Sequence, residues 1–169
     1  LMQLTNDSYD DRDPDWSPDG DRIVFSSDRT SLGKEDAYNL FVYEVDEGTV
    51  DYVTFGRRLD LSPRFSPSGD HVIFASAVQD TSGRYGAQNI WVADIDRPDE
   101  PAEIVSASTN GLAASASAVP LGERRVRRLT ELTAAAFDPV WTDEDRLLFT
   151  SFEHFRFTIR GFADFDSLM

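Results

Sequence analysis

Cysteine is absent from the 169 residues, which removes disulfide scaffolds, thiolate metal sites and cysteine nucleophiles from consideration. Histidine occurs twice, at His71 and His154, too few for a His-rich metal centre. No metal and no cofactor is therefore expected. No apolar run approaches the ~18 uninterrupted residues of a membrane helix, so this segment is expected not to insert into a membrane. Positive charge is scarce: 16 basic residues face 31 acidic ones, for a formal charge of −15. A nucleic-acid partner is excluded on that ground, because phosphate recognition needs a positive surface. No secretory leader is visible, but Leu1 is not a natural start, so the ends do not report a compartment.

Lysine is rarer still, with Lys34 alone against 15 arginines, and 22 of the 31 acids are aspartate. Carboxylate-rich, lysine-poor surfaces suit a salt-loving source, where ionic strength screens the self-repulsion. A GC-rich genome with Asp-rich turns is the competing explanation. The two separate in one measurement. On the halophilic reading the melting temperature rises steeply from low to molar monovalent salt; a flat or falling curve leaves only genome composition. Sulfate is unsuitable for the test, since it strengthens apolar burial in any protein.

A repeat organises the chain. Trp16, Phe65 and Trp141 are each preceded two residues earlier by proline (Pro14, Pro63, Pro139) and eleven earlier by threonine (Thr5, Thr54, Thr130). Each is followed by a turn and then an apolar run ending in phenylalanine: Ile23-Val24-Phe25, Val72-Ile73-Phe74 and Leu147-Leu148-Phe149. The first two copies lie 49 residues apart and the next two 76, so the second holds an insertion near 97–128. The repeats run over about 5–53, 54–129 and 130–169.

Each copy reads as β structure. Ser17-Pro18-Asp19-Gly20 and Ser66-Pro67-Ser68-Gly69 place proline where a turn wants φ near −65° and glycine (Gly20, Gly69) where it wants positive φ. The third copy, Thr142-Asp143-Glu144-Asp145, lacks both. The strand after each turn is apolar at consecutive positions, which predicts burial on both faces. A third strand follows at 39–43 and 89–93, a fourth at 50–54, and 155–160 opens a third strand in the last copy. Four short antiparallel strands per unit, covered on both faces, make a β-propeller blade.

Asp13-Pro14-Asp15-Trp16-Ser17-Pro18-Asp19-Gly20-Asp21-Arg22-Ile23-Val24-Phe25, followed by Ser27-Asp28-Arg29 and Asn39-Leu40-Phe41-Val42, resembles the WD-like repeat of TolB-type β-propellers. The second copy has Ser68 in place of an aspartate, and the third keeps Asp138-Pro139-Val140-Trp141 without the Pro-Asp-Gly turn. The resemblance implies an all-β propeller of four-stranded antiparallel blades, here an incomplete arc of about three. It implies that the aromatic of each copy sits on the innermost strand and packs between blades, and that the proline opens that strand. Thr5, Pro14, Trp16, Gly20, Phe25, Thr54, Pro63, Phe65, Gly69, Phe74, Thr130, Pro139, Trp141 and Phe149 are thus structural. Typical propellers close with about 4–8 blades, so the chain is expected to be part of a larger propeller chain. Its two uncovered blade faces are expected to expose Trp16, Ile23 and Phe25 at one end and Trp141, Leu147 and Phe149 at the other. The outer strand of the second blade falls at 102–106 or 126–130; the eleven-residue spacing from Thr130 to Trp141 favours the latter.

Signatures of chemistry are sparse. No Gly-x-Ser-x-Gly elbow or phosphate loop occurs, and His71 and His154 lie in strand-like or aromatic surroundings. No catalytic residue is assigned. Asp15-x-Ser17-x-Asp19-Gly20 matches the start of a calcium loop, but Ser26 stands where its twelfth-position glutamate belongs. Asn6-Asp7-Ser8 fits a glycosylation sequon. Asp7, Asp10, Asp11 and Asp13 read as a solvated loop capping its own turn amides. In a four-strand meander the blade-to-blade loops and the loops between strands two and three share one end. That end gathers Asp10, Asp11, Arg29, Tyr38, Arg57, Arg58, Arg84 and Tyr85, rich in the Arg and Tyr that interfaces favour. Arg57 and Arg58 are taken as free surface cations whose removal leaves stability unchanged. The arginines of Arg124-Arg125-Val126-Arg127-Arg128 are expected to pair with nearby carboxylates.

Two functions follow from the resemblance. One is a non-catalytic scaffold that binds other proteins in the periplasm or cell envelope. The alternative is the non-catalytic gating or substrate-selecting propeller of a prolyl-oligopeptidase-like or tricorn-like hydrolase.

Overall fold

The computed structural model describes residues 3–95, 126–142 and 146–165. The chain forms three antiparallel sheets laid side by side. The first contains β1 (Asp11–Trp16), β2 (Arg22–Ser27), β3 (Asn39–Glu44) and β4 (Thr49–Tyr52), in that order. The second repeats the meander with β5 (Arg58–Phe65), β6 (His71–Val78), β7 (Asn89–Asp94) and β8 (Val126–Arg128). The third has β9 (Ala135–Trp141), β10 (Leu147–Glu153) and β11 (Arg156–Phe162). This is an arc of three propeller blades.

The outer strand of the second blade is β8, paired with β7 through Trp91–Arg128, Val92–Arg127 and Ala93–Val126. Of the basic cluster, Arg128 forms an ion pair with Glu131, while Arg124 and Arg125, like the alternative strand at 102–106 and the 143–145 part of the third turn, lie outside the described residues. The two Ser-Pro turns close as expected. Gly20 N–H donates to Ser17 O at 3.0 Å and Gly69 N–H to Ser66 O at 2.9 Å, with φ of 82° and 78° at the glycines. All six residues of β2 are buried, one face against the second blade and the other partly beneath the Arg29 guanidinium, which lies 5.0 Å from the Phe25 ring centre. In β10 burial alternates instead, because one face of the third blade is uncovered among the described residues.

The repeated proline does not open the inner strand, as expected from the resemblance, but sits inside it. Asp13, Ser62 and Asp138, each just before that proline, adopt the left-handed conformation with φ of 55°, 51° and 51°. Each marks a break in the pairing register of its inner strand, a bulge where proline's missing N–H costs no ladder bond. The bulge has a use. Asp13 Oδ2 accepts from Ser62 N–H at 3.0 Å and Asp15 Oδ2 from Phe65 N–H at 2.9 Å, so the first blade grips the inner strand of the second. Asp13 therefore belongs to the packing and not to a solvated loop.

The repeated threonine ties the end of each blade to its third strand. Thr54 Oγ1 accepts from Leu40 N–H at 2.8 Å, and Thr130 Oγ1 from Ile90 N–H at 2.9 Å. Between blades the apolar runs interdigitate. Val24, Leu40 and Val42 pack on Phe65, Val72 and Phe74, and Ile73, Ile90 and Val92 on Ala136, Leu147 and Phe149.

This stacking has a direction, which revises the expected open faces. Phe65, Val72 and Phe74 look toward the first blade; Trp141, Leu147 and Phe149 look toward the second. A head-to-tail repeat cannot present the same face at both ends. Leu147 and Phe149 are buried, Trp141 is half-buried, and the third blade exposes Val140, Leu148, Phe157 and Ile159 instead. At the other end Trp16 is 56% exposed as the repeat requires, but Ile23 and Phe25 are covered, the latter by the Arg29 guanidinium 5.0 Å from its ring centre.

Candidate functional site

The pairings place the loops before β1, β5 and β9 at one end of the blades, together with the β2–β3, β6–β7 and β10–β11 connections. The Ser-Pro turns lie at the other end. The loop end carries the candidate residues and divides them into two groups.

One group is structural. A guanidinium nitrogen of Arg29 donates to both oxygens of Asp11 at 2.8 Å and lies 3.4 Å from Asp7, while the same group covers the rings of Phe25 and Phe41. Burial opposes the Asp11 charge, but hydrogen bonds from Arg29, Ser27 and Thr5 outweigh it and hold the carboxyl below its ordinary value. Arg58 departs from the free surface cation expected of it. Its Nε donates to the fully buried Asp60 at 3.0 and 3.1 Å, and its guanidinium lies 4.6 Å from the Trp91 ring centre.

The other group faces solvent. Arg12 stacks on Tyr38 at 4.0 Å, donates to its hydroxyl and pairs with Asp10 at 3.6 Å. Tyr38 in turn donates to Asp10 Oδ2 at 3.5 Å; burial first, then the Asp10 and Asp28 carboxylates, raise its pKa against the pull of Arg12. Arg57 forms an exposed ion pair with Glu35. Tyr85 donates to Asp36 O at 2.9 Å, joining the β6–β7 loop to the single 3-10 turn of the first blade, Gly33–Glu35. Arg84 is exposed on a turn that Asp80 organises by accepting from Ser82 and Arg84 N–H groups. The Arg12–Tyr38, Arg57–Glu35 and Tyr85–Asp36 contacts join separate segments, with backbone bonds beneath. Tyr38 N–H donates to Arg58 O at 2.9 Å and Asp60 N–H to Tyr38 O at 3.0 Å.

Arg12, Glu35 and Asp36 were not among the candidates, because their contacts join loops 22 to 49 residues apart and leave no local spacing. Phe155 is a further addition. It caps the β10–β11 hairpin with His154, both at positive φ (60° and 50°), and is 95% exposed. Positive φ at two bulky residues is the geometry of a tight two-residue hairpin that usually takes Asn-Gly. His71, at the opposite end, is held by Asp94 at 3.2 Å and lies against Phe165. The calcium-loop match is occupied internally, with Ser17 Oγ donating to Asp19 Oδ1 at 2.5 Å. Among the described residues no three metal-ligating side chains group together, and no helix is long and apolar enough to cross a membrane.

An end surface of alternating charge with tyrosines, fixed to a rigid frame, can recognise a protein by paired ions and aromatic contact. Comparison with known proteins bears on the frame. No family model matches the sequence. The chain is 27% identical over 141 residues to the uncharacterized peptidase YuxL of Bacillus subtilis, covering 82% of this chain and 17% of that protein. Among solved structures it is similar to the putative TolB of Agrobacterium tumefaciens, with a TM-score of 0.59 at 18% identity over 94% of this chain and 46% of that one. It is also similar to the β-propeller domain of the trilobed protease from Pyrococcus furiosus, with a TM-score of 0.56 at 15% identity over 95% and 41%. The chain thus spans less than half the length of each of these proteins. In its fold, then, the chain is an arc of about three β-propeller blades, similar to part of the TolB propeller.

Proposed function

We propose that this chain is a non-catalytic protein-binding arc, whose contact surface is the loop end carrying Asp10, Arg12, Tyr38, Arg57, Arg84, Tyr85 and Phe155. The observation that carries the reading is the clasp of Arg12, Tyr38 and Asp10 beside the exposed Arg57–Glu35 pair. These are Arg and Tyr groups held at the surface by neighbours, so little side-chain freedom is lost when a partner docks. The likeness to TolB extends the proposal to a cell-envelope scaffold.

A photo-crosslinking residue at position 57, compared with one at position 47 among the turns of the other end, tests it in source cells. Adducts with a discrete partner are expected from position 57 only, and Arg12→Ala should reduce them about tenfold, the loss of a contact of ~1.4 kcal/mol. Equal labelling at both positions, or hydrolysis of peptide or ester substrates by the purified chain, would reject the reading.

The identity to a peptidase over most of the chain favours a second reading, the gating propeller of a hydrolase. A Gly-x-Ser-x-Gly module encoded in the same parent gene would decide for it.

A further inference from the structure

The two junctions between blades each bury an apolar cluster, but polar groups fasten them differently. Across the first junction, side chains of the first blade reach into the second. Asp13 and Asp15 accept from Ser62 and Phe65 N–H at 3.0 and 2.9 Å. Ser26 Oγ donates to Asp60 O at 2.5 Å, and the buried Arg22 donates to Gly69 O at 3.2 Å. Strand register places Ser62, Arg64, His71 and Ala75 of the second blade where the first has Asp13, Asp15, Arg22 and Ser26. Those four do not repeat the grip on the third blade. Ser62 offers a hydroxyl in place of a carboxylate, and the Ala75 side chain has no polar atom. Arg64 donates to Pro63 O of its own strand at 2.7 Å. His71 is held at 3.2 Å by Asp94 of its own blade and meets Phe165 by ring contact. What crosses the second junction is Ala136 N–H to Gln88 O at 2.7 Å and Trp141 Nε1–H to Arg64 O at 3.4 Å.

We propose that the arc bends at its second junction, the first two blades moving as one rigid unit and the third swinging against them. Hydrogen bonds fix two surfaces in one register, whereas apolar contact is non-directional and tolerates the small sliding of a shear motion. The connection also shows where the bend falls. Thr130 Oγ1 accepts from Ile90 N–H, and both the N–H and the C=O of Leu132 bond to the Asn89 side chain, so the chain is tied to the second blade as far as Leu132. Thr133 and Ala134, between that anchor and the start of β9 at Ala135, are left to absorb the rotation. Bending shifts Phe155, on the third blade, relative to Arg84 and Tyr85 on the second. That consequence rests on the reading of the loop end as a contact surface; the hinge itself does not.

Native-state hydrogen exchange tests the hinge on a matched pair of amides. Asp60 and Ala136 occupy the same repeat position, both have no solvent exposure, and they donate across the first and second junctions to Tyr38 O and Gln88 O at 3.0 and 2.7 Å. Ala136 is expected to be at least about tenfold less protected than Asp60, although its bond is the shorter. The amides of β10, paired on both sides by β9 and β11, should stay protected, because bending leaves the third blade intact. Asp15→Ala removes one grip and should lower the protection of Asp60 about fivefold, the worth of one hydrogen bond, without changing Ala136. Arg64→Asn supplies a neutral acceptor at the position of Asp15 and should raise the protection of Ala136 by a similar factor. Equal protection of Ala136 and Asp60 would overturn the hinge, as would an indifference of either amide to its variant. So would β10 amides that exchange as fast as Ala136, since the third blade would then be unfolding and not turning.

Discussion

Arg58→Met will destabilise the chain by about 3–5 kcal/mol, the cost of leaving a buried carboxylate without its cation. Asp60 has no solvent exposure and accepts from Arg58 Nε and from Thr54 Oγ1 at 2.6 Å, while the same Arg58 guanidinium donates to Ser76 Oγ at 3.2 Å. Methionine keeps the apolar stem but removes the guanidinium that lies 5.6 and 4.6 Å from the Phe74 and Trp91 ring centres. The pH dependence separates the two contributions. Burial already pushes the Asp60 carboxyl above its ordinary value, against the pull of Arg58 and the hydroxyl donors. Without Arg58 it rises further. A raised folded-state value means that protonation favours the folded chain, so the deficit of the variant relative to the parent is full where Asp60 is ionised in both. It shrinks as pH falls through the variant's raised folded-state value and levels off once the parent's own Asp60 is also protonated in the folded chain. Denaturant titrations at pH 7 and at about pH 4.5 measure this. A deficit that does not shrink in acid would assign Arg58 to packing alone. Arg57→Ala, one residue away but exposed, should change stability by less than ~0.5 kcal/mol.

The contrast between those adjacent arginines marks how far the sequence could be read. Blade number, strand order and both Ser-Pro turns were legible, because a repeat displays the same packing problem three times and only one period answers it. The solvent-facing clasp was half legible: Asp10, Tyr38, Arg57, Arg84 and Tyr85 follow from which loops share an end, whereas Arg12 reaches 26 residues along its own blade to Tyr38 and Glu35 reaches across blades to Arg57. What separates Arg58 from Arg57 is the strand alternation that turns one toward Asp60 and the other toward Glu35. That alternation was hidden by the uncertain start of β5. The bulges were hidden for a different reason. A proline beside an aromatic reads as a strand boundary, and nothing local reveals that Asp13, Ser62 and Asp138 all take positive φ so that the strand can continue.

The repeat also makes a prediction across equivalent positions. Phe65→Ala should cost about 3–5 kcal/mol, because the ring is buried among Val24, Val42 and Val72 and lies beneath the Arg22 guanidinium at 5.5 Å. Trp16→Ala, the same repeat position one blade earlier, should cost no more than ~1 kcal/mol in the monomer, since over half of its surface is already in water. Trp141→Ala should fall between them: the indole stands edge-on to Phe165 at 4.5 Å and donates to Arg64 O, but part of it remains exposed. Residue type cannot produce that order, because tryptophan, the larger ring, is the one with least to lose. The order is set by whether a preceding blade is present to cover the position. Denaturant unfolding at a protein concentration where sedimentation shows a monomer measures all three without contributions from association. If Trp16→Ala proves as costly there as Phe65→Ala, the first blade is covered by something other than a neighbouring blade, and the directional stacking argued from the two internal junctions does not extend to it.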